Sequence, residues 1–275
     1  MKLMTINTHS HAEENYSEKL KIFTAAIAEE LPDIIAMQEV SQTVSSAAVN
    51  STESRYFPCA DVTVRSDNHV YNAVLQLAEK GISYYYTWLP IKLGYGSFDE
   101  GIALMSRSPV IETDIITVSG TDEYYNWKTR KILGIRTENA PDDFFYTVHY
   151  GWWNDDEEPF SAQWRNTLAH IAKNKRVWLM GDINNPAEIK DQGYDLINRS
   201  GFYDSYIYAD KKDNGITAAK NIDGWKERAE GSEGMRIDMI LCSELIKPKY
   251  STVIFDGKKY PVISDHFGVM IEYEK

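Results

Sequence analysis

The chain has 275 residues, 43% hydrophobic and 25% charged, with 29 basic against 41 acidic side chains and a formal net charge of −12. This is a globular composition with enough apolar residues for a sizeable core; no run approaches the roughly 20 apolar residues of a membrane span. The acidic balance counts against a protein that tracks nucleic acid, where neutralised phosphates supply much of the affinity, and the densest basic cluster, Lys173-Asn-Lys-Arg176, reads as an ordinary helix end.

Cys59 and Cys242 are too few for a disulfide framework, and Met1–Asn7 is too soon polar for a secretory signal. A reduced cytoplasmic setting is the expectation. Residues 2–7 alternate and predict a strand. Ser17 is a candidate cap for a helix to Leu31, with Leu20, Phe23 and Ile27 on its apolar face, and Pro32 stops it. Asp33–Met37 follows as a buried strand, completing β-α-β. Residues 41–66 are Ser/Thr/Ala-rich and read as a loop, and Val70–Lys80 suits a helix ended by Gly81. Strand-like runs come next at 84–89, 102–106, 110–118, 131–136 and 144–149, close enough for a mixed or antiparallel sheet. A helix from Phe160 to about Lys173 precedes the apolar run Val177–Met180, and further strands are predicted at 237–242, 250–255 and 267–273. No linker or repeat divides the chain, so one domain over 1–275, with two packed sheets and outer helices, is expected.

Polar residues recur where these runs end or break: Asn7, Gln38-Glu39, Glu100, His149, Asp182 and Asn184, Asp238, and Asp265-His266. Ligand-binding groups gather at strand ends in α/β sheets. Taken singly, each has a plain structural reading. Asp-His is a surface turn, "GDIN" an Asx-rich turn and His149 a hydrogen-bonded structural histidine. Seven such islands with five carboxylates among them point to a site.

Asn7, "MQEV" around Glu39, "DEGIALMSR" around Glu100, the His149 strand, "GDINNP", "RIDMI" and "SDHFGV" resemble, in order and spacing, the motifs of the endonuclease/exonuclease/phosphatase superfamily. The resemblance implies a DNase I-like fold, a four-layer α/β sandwich of two mixed β-sheets flanked by helices. It also implies phosphoester hydrolysis with Mg²⁺, for which Mn²⁺ can substitute. It makes Glu39 the principal metal ligand, with Asn7 and Asp265 as further ligands. Asp182 would activate water and Asn184 would hold phosphate or that water. His266 would donate to the phosphate with Asp238 as its carboxylate partner, and His149 with Glu100 would form a second His–carboxylate pair.

The catalytic residues do not choose the phosphoester. Tyr150-Gly-Trp-Trp follows His149 directly, and aromatic faces stack on sugars as well as bases. Trp152 and Trp153 cannot both point inward on an extended segment, whereas Phe160 and Trp164 suit helix packing. The Asp67–Tyr71 loop, Tyr84–Trp88, "HYGWW", "FSAQW" and "IDGW" around Trp225 resemble a bacterial subgroup of this superfamily, the one containing maltose 6'-phosphate phosphatase. That resemblance implies a small-molecule sugar phosphate as partner, rather than nucleic acid or a membrane, with Trp152 in substrate binding. A metal-dependent nuclease or other phosphodiesterase is the alternative, and a non-catalytic binding module ranks last.

Overall fold

Ile34, Ile35, Ala36 and Met37 face two different cores in alternation. Ile34 and Ala36 join a cluster with Leu104, Phe145, Trp178 and Ile240, while Ile35 and Met37 join one with Phe23, Val70 and Trp88. A strand buried on both faces needs apolar residues at every position, which is why this run does not alternate in hydropathy. The computed structural model describes residues 1–50, 55–171, 175–218 and 234–275.

The first half comprises β1 (Lys2–Asn7), a 3-10 turn (Ser10–Ala12), α1 (Tyr16–Glu30), β2 (Ile34–Thr43), α2 (His69–Glu79), β3 (Tyr85–Gly94), β4 (Phe98–Ser106) and β5 (Val110–Thr117). Then come β6 (Lys131–Thr137), β7 (Ala140–His149), α3 (Phe160–His170), β8 (Arg176–Asp182), α4 (Gly193–Arg199), β9 (Tyr203–Asp204) and α5 (Ser205–Tyr208). The last strands are β10 (Lys211–Lys212), β11 (Asp238–Cys242), β12 (Tyr250–Ile254) and β13 (Gly268–Glu272).

One sheet runs β10-β12-β13-β1-β2-β4-β3 and the other β5-β6-β7-β8-β11-β9. Both are mixed, since β1 and β2 are parallel, as are β7 and β8, among antiparallel neighbours. The core between the sheets contains Leu3, Ile135, Phe145 and Ile271. Leu20 and Phe23 of α1 and Val70 and Val74 of α2 cover the first sheet, and Phe160 and Trp164 of α3 with Ile197 of α4 cover the second. The result is the four-layer sandwich that the sequence implies.

Several boundaries differ from expectation. β2 continues to Thr43, because Val40–Thr43 pairs with Gly101–Phe98 after a register shift; the polar Ser41-Gln42-Thr43 reads as loop only until β4 is there to pair with it. β4 starts at Phe98, so Glu100 lies within a strand rather than before one. Asn15, not Ser17, occupies the N-cap of α1, in a left-handed conformation without a side-chain bond. In the Asp67–Tyr71 segment, Asn68 caps α2 by accepting from the Tyr71 N–H at 3.1 Å, so this stretch is largely a helix start rather than a loop. Tyr84, Tyr86 and Trp88 are fully buried core residues, which leaves them no contact with a substrate. Trp225 lies outside the described residues.

Candidate active site

Strand register assembles the site. Asp182, the last residue of β8, is opposite His149 on β7 and Asp238 on β11, so three adjacent strands bring these side chains into one row. Asn7 ends β1 opposite Gln38 of β2 in the other sheet. Gln38 is fully buried, and its Nε2 donates to Thr147 Oγ1 on β7 at 2.8 Å. That bond ties the polar ends of the two sheets together.

Glu39 breaks the regular pairing of β2. The register shifts between Met37 and Val40, and Glu39 has φ +52°, a bulge that re-aims its side chain. Two neighbours hold it: Asn7 Nδ2 donates to Glu39 Oε1 at 2.8 Å, and the Trp88 indole donates to the Val40 carbonyl at 2.9 Å. Asn7 Nδ2 also lies 3.3 Å from Asp182 Oδ2, linking the two carboxylates. Its Oδ1 accepts the His9 N–H at 3.2 Å, so Asn7 faces Glu39 as a donor and orients the carboxylate; the amide oxygen keeps a second lone pair for the expected metal contact. Gly181 is required where it is, since a Cβ there would meet the Val148 carbonyl at 2.0 Å.

Asp182 is buried, and its Oδ1 accepts from the Asn184 N–H at 2.8 Å. Burial pushes its pKa up to about 7; His266 opposes that rise, while Asp238 and Glu39 add to it. The Asn184 amide donates to the Tyr150 carbonyl at 2.9 Å and to Asp182 Oδ2 at 3.3 Å. His266 Nδ1 bonds Asp238 Oδ2 at 2.9 Å, and its Nε2 is 3.8 Å from Asp182 Oδ2. Burial disfavours the His266 imidazolium, but Asp238 and Asp182 outweigh it and hold the pKa well above the usual value. Ser264 explains the polar interruption before β13. Its hydroxyl donates to the Asn7 carbonyl at 2.8 Å, fixing the Asp265-His266 pair against the end of β1.

His149 behaves oppositely. Burial, then Arg130, Lys92 and His266, hold its pKa well below the ordinary value, so it is neutral. Its Nε2 is 3.6 Å from Asp182 and 3.9 Å from Glu39. The expected His149–Glu100 pair does not form; Glu100 pairs with Lys92 at 3.1 Å, because Glu100 extends from β4 toward the adjacent β3.

Glu39, Glu100, His149, Asp182, Asn184, Asp265 and His266 all border one cavity of about 320 Å³. Trp152 borders it too, 5.9 Å from the Trp127 ring centroid, while Trp153 packs against the core beneath α3. Sequence reasoning missed Lys92, Tyr95, Trp127, Arg130 and His9, which complete the wall. Arg130 stands immediately before a predicted strand, so the rule that found Glu100 applies to it equally; it went unread because only acidic, amide and imidazole groups were followed.

The carboxylates fit a divalent cation. Burial, then the Glu100 charge, raises the Glu39 pKa; His9 opposes that rise and Asp265 adds to it, so negative charge converges there. Hard oxygen donors in such a cluster suit Mg²⁺. Two further groups of ligand type lie beside Glu39, one of His9, Glu13 and Asp265, the other of buried Asp182, Asp238 and His266. In each, the imidazole is already bonded to a carboxylate, His9 Nδ1 to Glu13 at 2.7 Å and His266 to Asp238.

No curated protein matches the chain. Among solved structures, an endonuclease/exonuclease/phosphatase family protein from Leptotrichia buccalis is 30% identical with a TM-score of 0.87, covering 100% of both chains. A Bacteroides thetaiotaomicron mannosyl-6-phosphatase is 18% identical with a TM-score of 0.64, again over 100% of both. D. rerio TDP2 complexed with single-strand DNA product is 14% identical with a TM-score of 0.61, covering 100% of this chain and 99% of that one. No helix among the described residues is long and apolar enough to cross a membrane. With residues 4–266 matching the Endonuclease/Exonuclease/phosphatase family, this chain belongs to that family of metal-dependent hydrolases, phosphatases among them.

Proposed function

We propose that the protein is a phosphomonoesterase acting on a sugar phosphate, with maltose 6'-phosphate hydrolysed to maltose and phosphate as the specific reaction. The observation that carries this reading is the cavity itself: an acid–base floor faced by a wall of Trp127 and Trp152, in a volume suited to a small molecule. Tryptophan faces stack on the C–H edges of a sugar ring. The mannosyl-6-phosphatase among the structural neighbours is compatible with this reading.

In this scheme Asp182 accepts a proton from water as its oxygen attacks phosphorus. Asn184, which borders the cavity, fixes the Asp182 carboxylate through its backbone N–H and its side-chain amide; holding the phosphate would take that amide from Asp182. His266, kept protonated by Asp238, donates to a phosphate oxygen as charge builds in the transition state. Neutral His149 offers a further hydrogen bond to the same group. The P–O ester bond breaks with its electron pair on the sugar oxygen. The proton released by the attacking water ends on that hydroxyl, giving the free sugar and inorganic phosphate. Glu39 and Asp265 would hold Mg²⁺ or Mn²⁺, which supplies charge neutralisation on the phosphate oxygens.

The test is a panel with Mg²⁺ of maltose 6'-phosphate, trehalose 6-phosphate, glucose 6-phosphate and plasmid DNA. Maltose 6'-phosphate is expected to have the highest kcat/KM. DNA nicking faster than turnover of any sugar phosphate would reject the reading in favour of a nuclease.

A further inference from the structure

Among the described residues two arginines are buried, Arg130 and Arg236, and the fold treats them differently. Arg236, 6% exposed, pairs with Asp204 at 2.6 Å and stacks over the Tyr194 and Tyr206 rings at 5.1 and 4.7 Å. That is how a structural guanidinium is normally accommodated. Arg130 is 7% exposed, and its hydrogen bonds go only to backbone carbonyls, Nη1 to Trp127 at 2.9 Å and to Thr129 at 3.1 Å. Its Nε is buried with no partner, and among the described residues no carboxylate forms an ion pair with it. A buried cation without an anion is costly and rare.

The side chain borders the cavity together with Asp182, His149 and His266. Its backbone is fixed as well, since the Arg130 N–H donates to Ser119 Oγ at 2.8 Å and the preceding Thr129 hydroxyl donates to the Glu123 carbonyl at 2.7 Å. The neighbouring cation, Lys92, is already committed to Glu100. Arg130 is therefore a preorganised positive charge with open capacity, facing a cavity otherwise crowded with carboxylates.

We infer that Arg130 is the specificity determinant for a terminal phosphate: it takes the third non-bridging oxygen, which a phosphomonoester has and a phosphodiester lacks. This rests on the phosphomonoesterase reading above. A monoester carries close to two negative charges near neutral pH and three acceptor oxygens; a diester carries one charge and two such oxygens. In an acidic cavity the second charge is unfavourable unless a fixed cation meets it. A guanidinium suits that task because its planar fork matches phosphate oxygens and stays charged at any working pH.

The test uses the full chain with Mg²⁺ and compares p-nitrophenyl phosphate with bis(p-nitrophenyl) phosphate for wild type, Arg130→Gln and Arg130→Lys. Arg130→Gln is expected to lower monoester kcat/KM by roughly 100-fold, the scale of one lost transition-state donor, and diester kcat/KM by less than about tenfold. Arg130→Lys, which keeps the charge without the fork, should fall between and covers the case in which the glutamine variant does not fold. Parallel losses on both esters, or no monoester loss, would overturn the inference. Calorimetry of inorganic phosphate binding separates it from its parent reading. A wild type that prefers the diester would defeat the phosphomonoesterase proposal, whereas phosphate binding unchanged by Arg130→Gln or Arg130→Lys defeats the role of Arg130 whichever ester is preferred.

Discussion

Gln38 on one sheet and Thr147 on the other are joined side chain to side chain at 2.8 Å, and the Thr147 hydroxyl in turn donates to the Met37 carbonyl at 3.1 Å. The polar strut stands directly beneath Glu39 and beside the His149–Asp182–Asp238 row. Replacing Gln38 with Leu removes the cross-link and leaves the Thr147 hydroxyl with its bond to the Met37 carbonyl alone. Chemical denaturation should report a loss of about 1 kcal/mol, the net contribution of one buried hydrogen bond. Hydrolysis should fall as well, because the two halves of the site lose their common reference.

Asp182→Asn and His266→Ala should each reduce kcat by roughly 10²–10⁴-fold, the usual contribution of a positioned acid or base. Far-UV circular dichroism should be unchanged. Asp238→Asn removes the partner that keeps His266 charged, and it should lower kcat less than His266→Ala does. Turnover near wild type in Asp182→Asn or His266→Ala would show that the roles are misassigned.

Removing divalent cations with EDTA should abolish turnover, and adding Mg²⁺ should restore it. Without substrate, Mg²⁺ should raise the melting temperature of the wild type, since an ion that binds only the native state stabilises it by mass action. In Glu39→Gln the shift should disappear over the same concentration range. A full shift in that variant would place the cation elsewhere.

Trp127→Ala and Trp152→Ala should each raise KM for maltose 6'-phosphate roughly fivefold, on the order of one stacking contact of about 1 kcal/mol. Turnover at saturation should change little. Inorganic phosphate should inhibit both variants as it does the wild type, because the loss is confined to the sugar.

His69 gives a pH prediction away from the site. It is buried, its Nδ1 meets Tyr16 Oη at 3.2 Å, and its Nε2 has no partner. Burial lowers its pKa to about 3, with the His11 charge adding to the effect. Below the unfolded value near 6.5, the unfolded chain takes a proton that the folded chain refuses. Stability therefore falls as pH drops from 6.5 toward 3. Between pH 7 and pH 5 this one group should cost about 2 kcal/mol, read as the difference in slope between wild type and His69→Leu in denaturation at the two pH values. Equal slopes would refute it.

How far the sequence led can be judged from particular residues. The central strands were legible because burial on both faces leaves uninterrupted apolar runs such as Ile34–Met37 and Val177–Met180. The acid–base cluster was legible because a polar residue at the end of such a run has few other reasons to be there. Glu100 was named, but with His149 as its partner in place of Lys92: which of the two it reaches depends on how β3 and β4 are registered, a non-local fact. Trp127 was missed for the same reason, since a loop before β6 becomes part of the site only when the sheet carries it there, whereas Arg130, directly before a strand, was within reach of the rule that found Glu100. Tyr84–Trp88 misled in the opposite direction. A dense aromatic stretch with the look of a binding loop is core, and its contribution to the site is one indole bond that steadies the bulge at Glu39.

Two parts of the chain with different mechanical footing meet in the cavity. The groups assigned to hydrolysis in the proposed function lie on interior strands or at their ends, where each neighbour constrains the next. Lys92, Tyr95, Trp127 and Arg130 come from an outer strand and from connections between strands, where length and sequence can drift at little cost to folding. Such a division lets descendants of one ancestor exchange the molecules they accept while the bond-breaking apparatus stays untouched. Swapping the 92–95 and 127–130 segments between relatives is accordingly the shortest engineering route from one phosphoester to another.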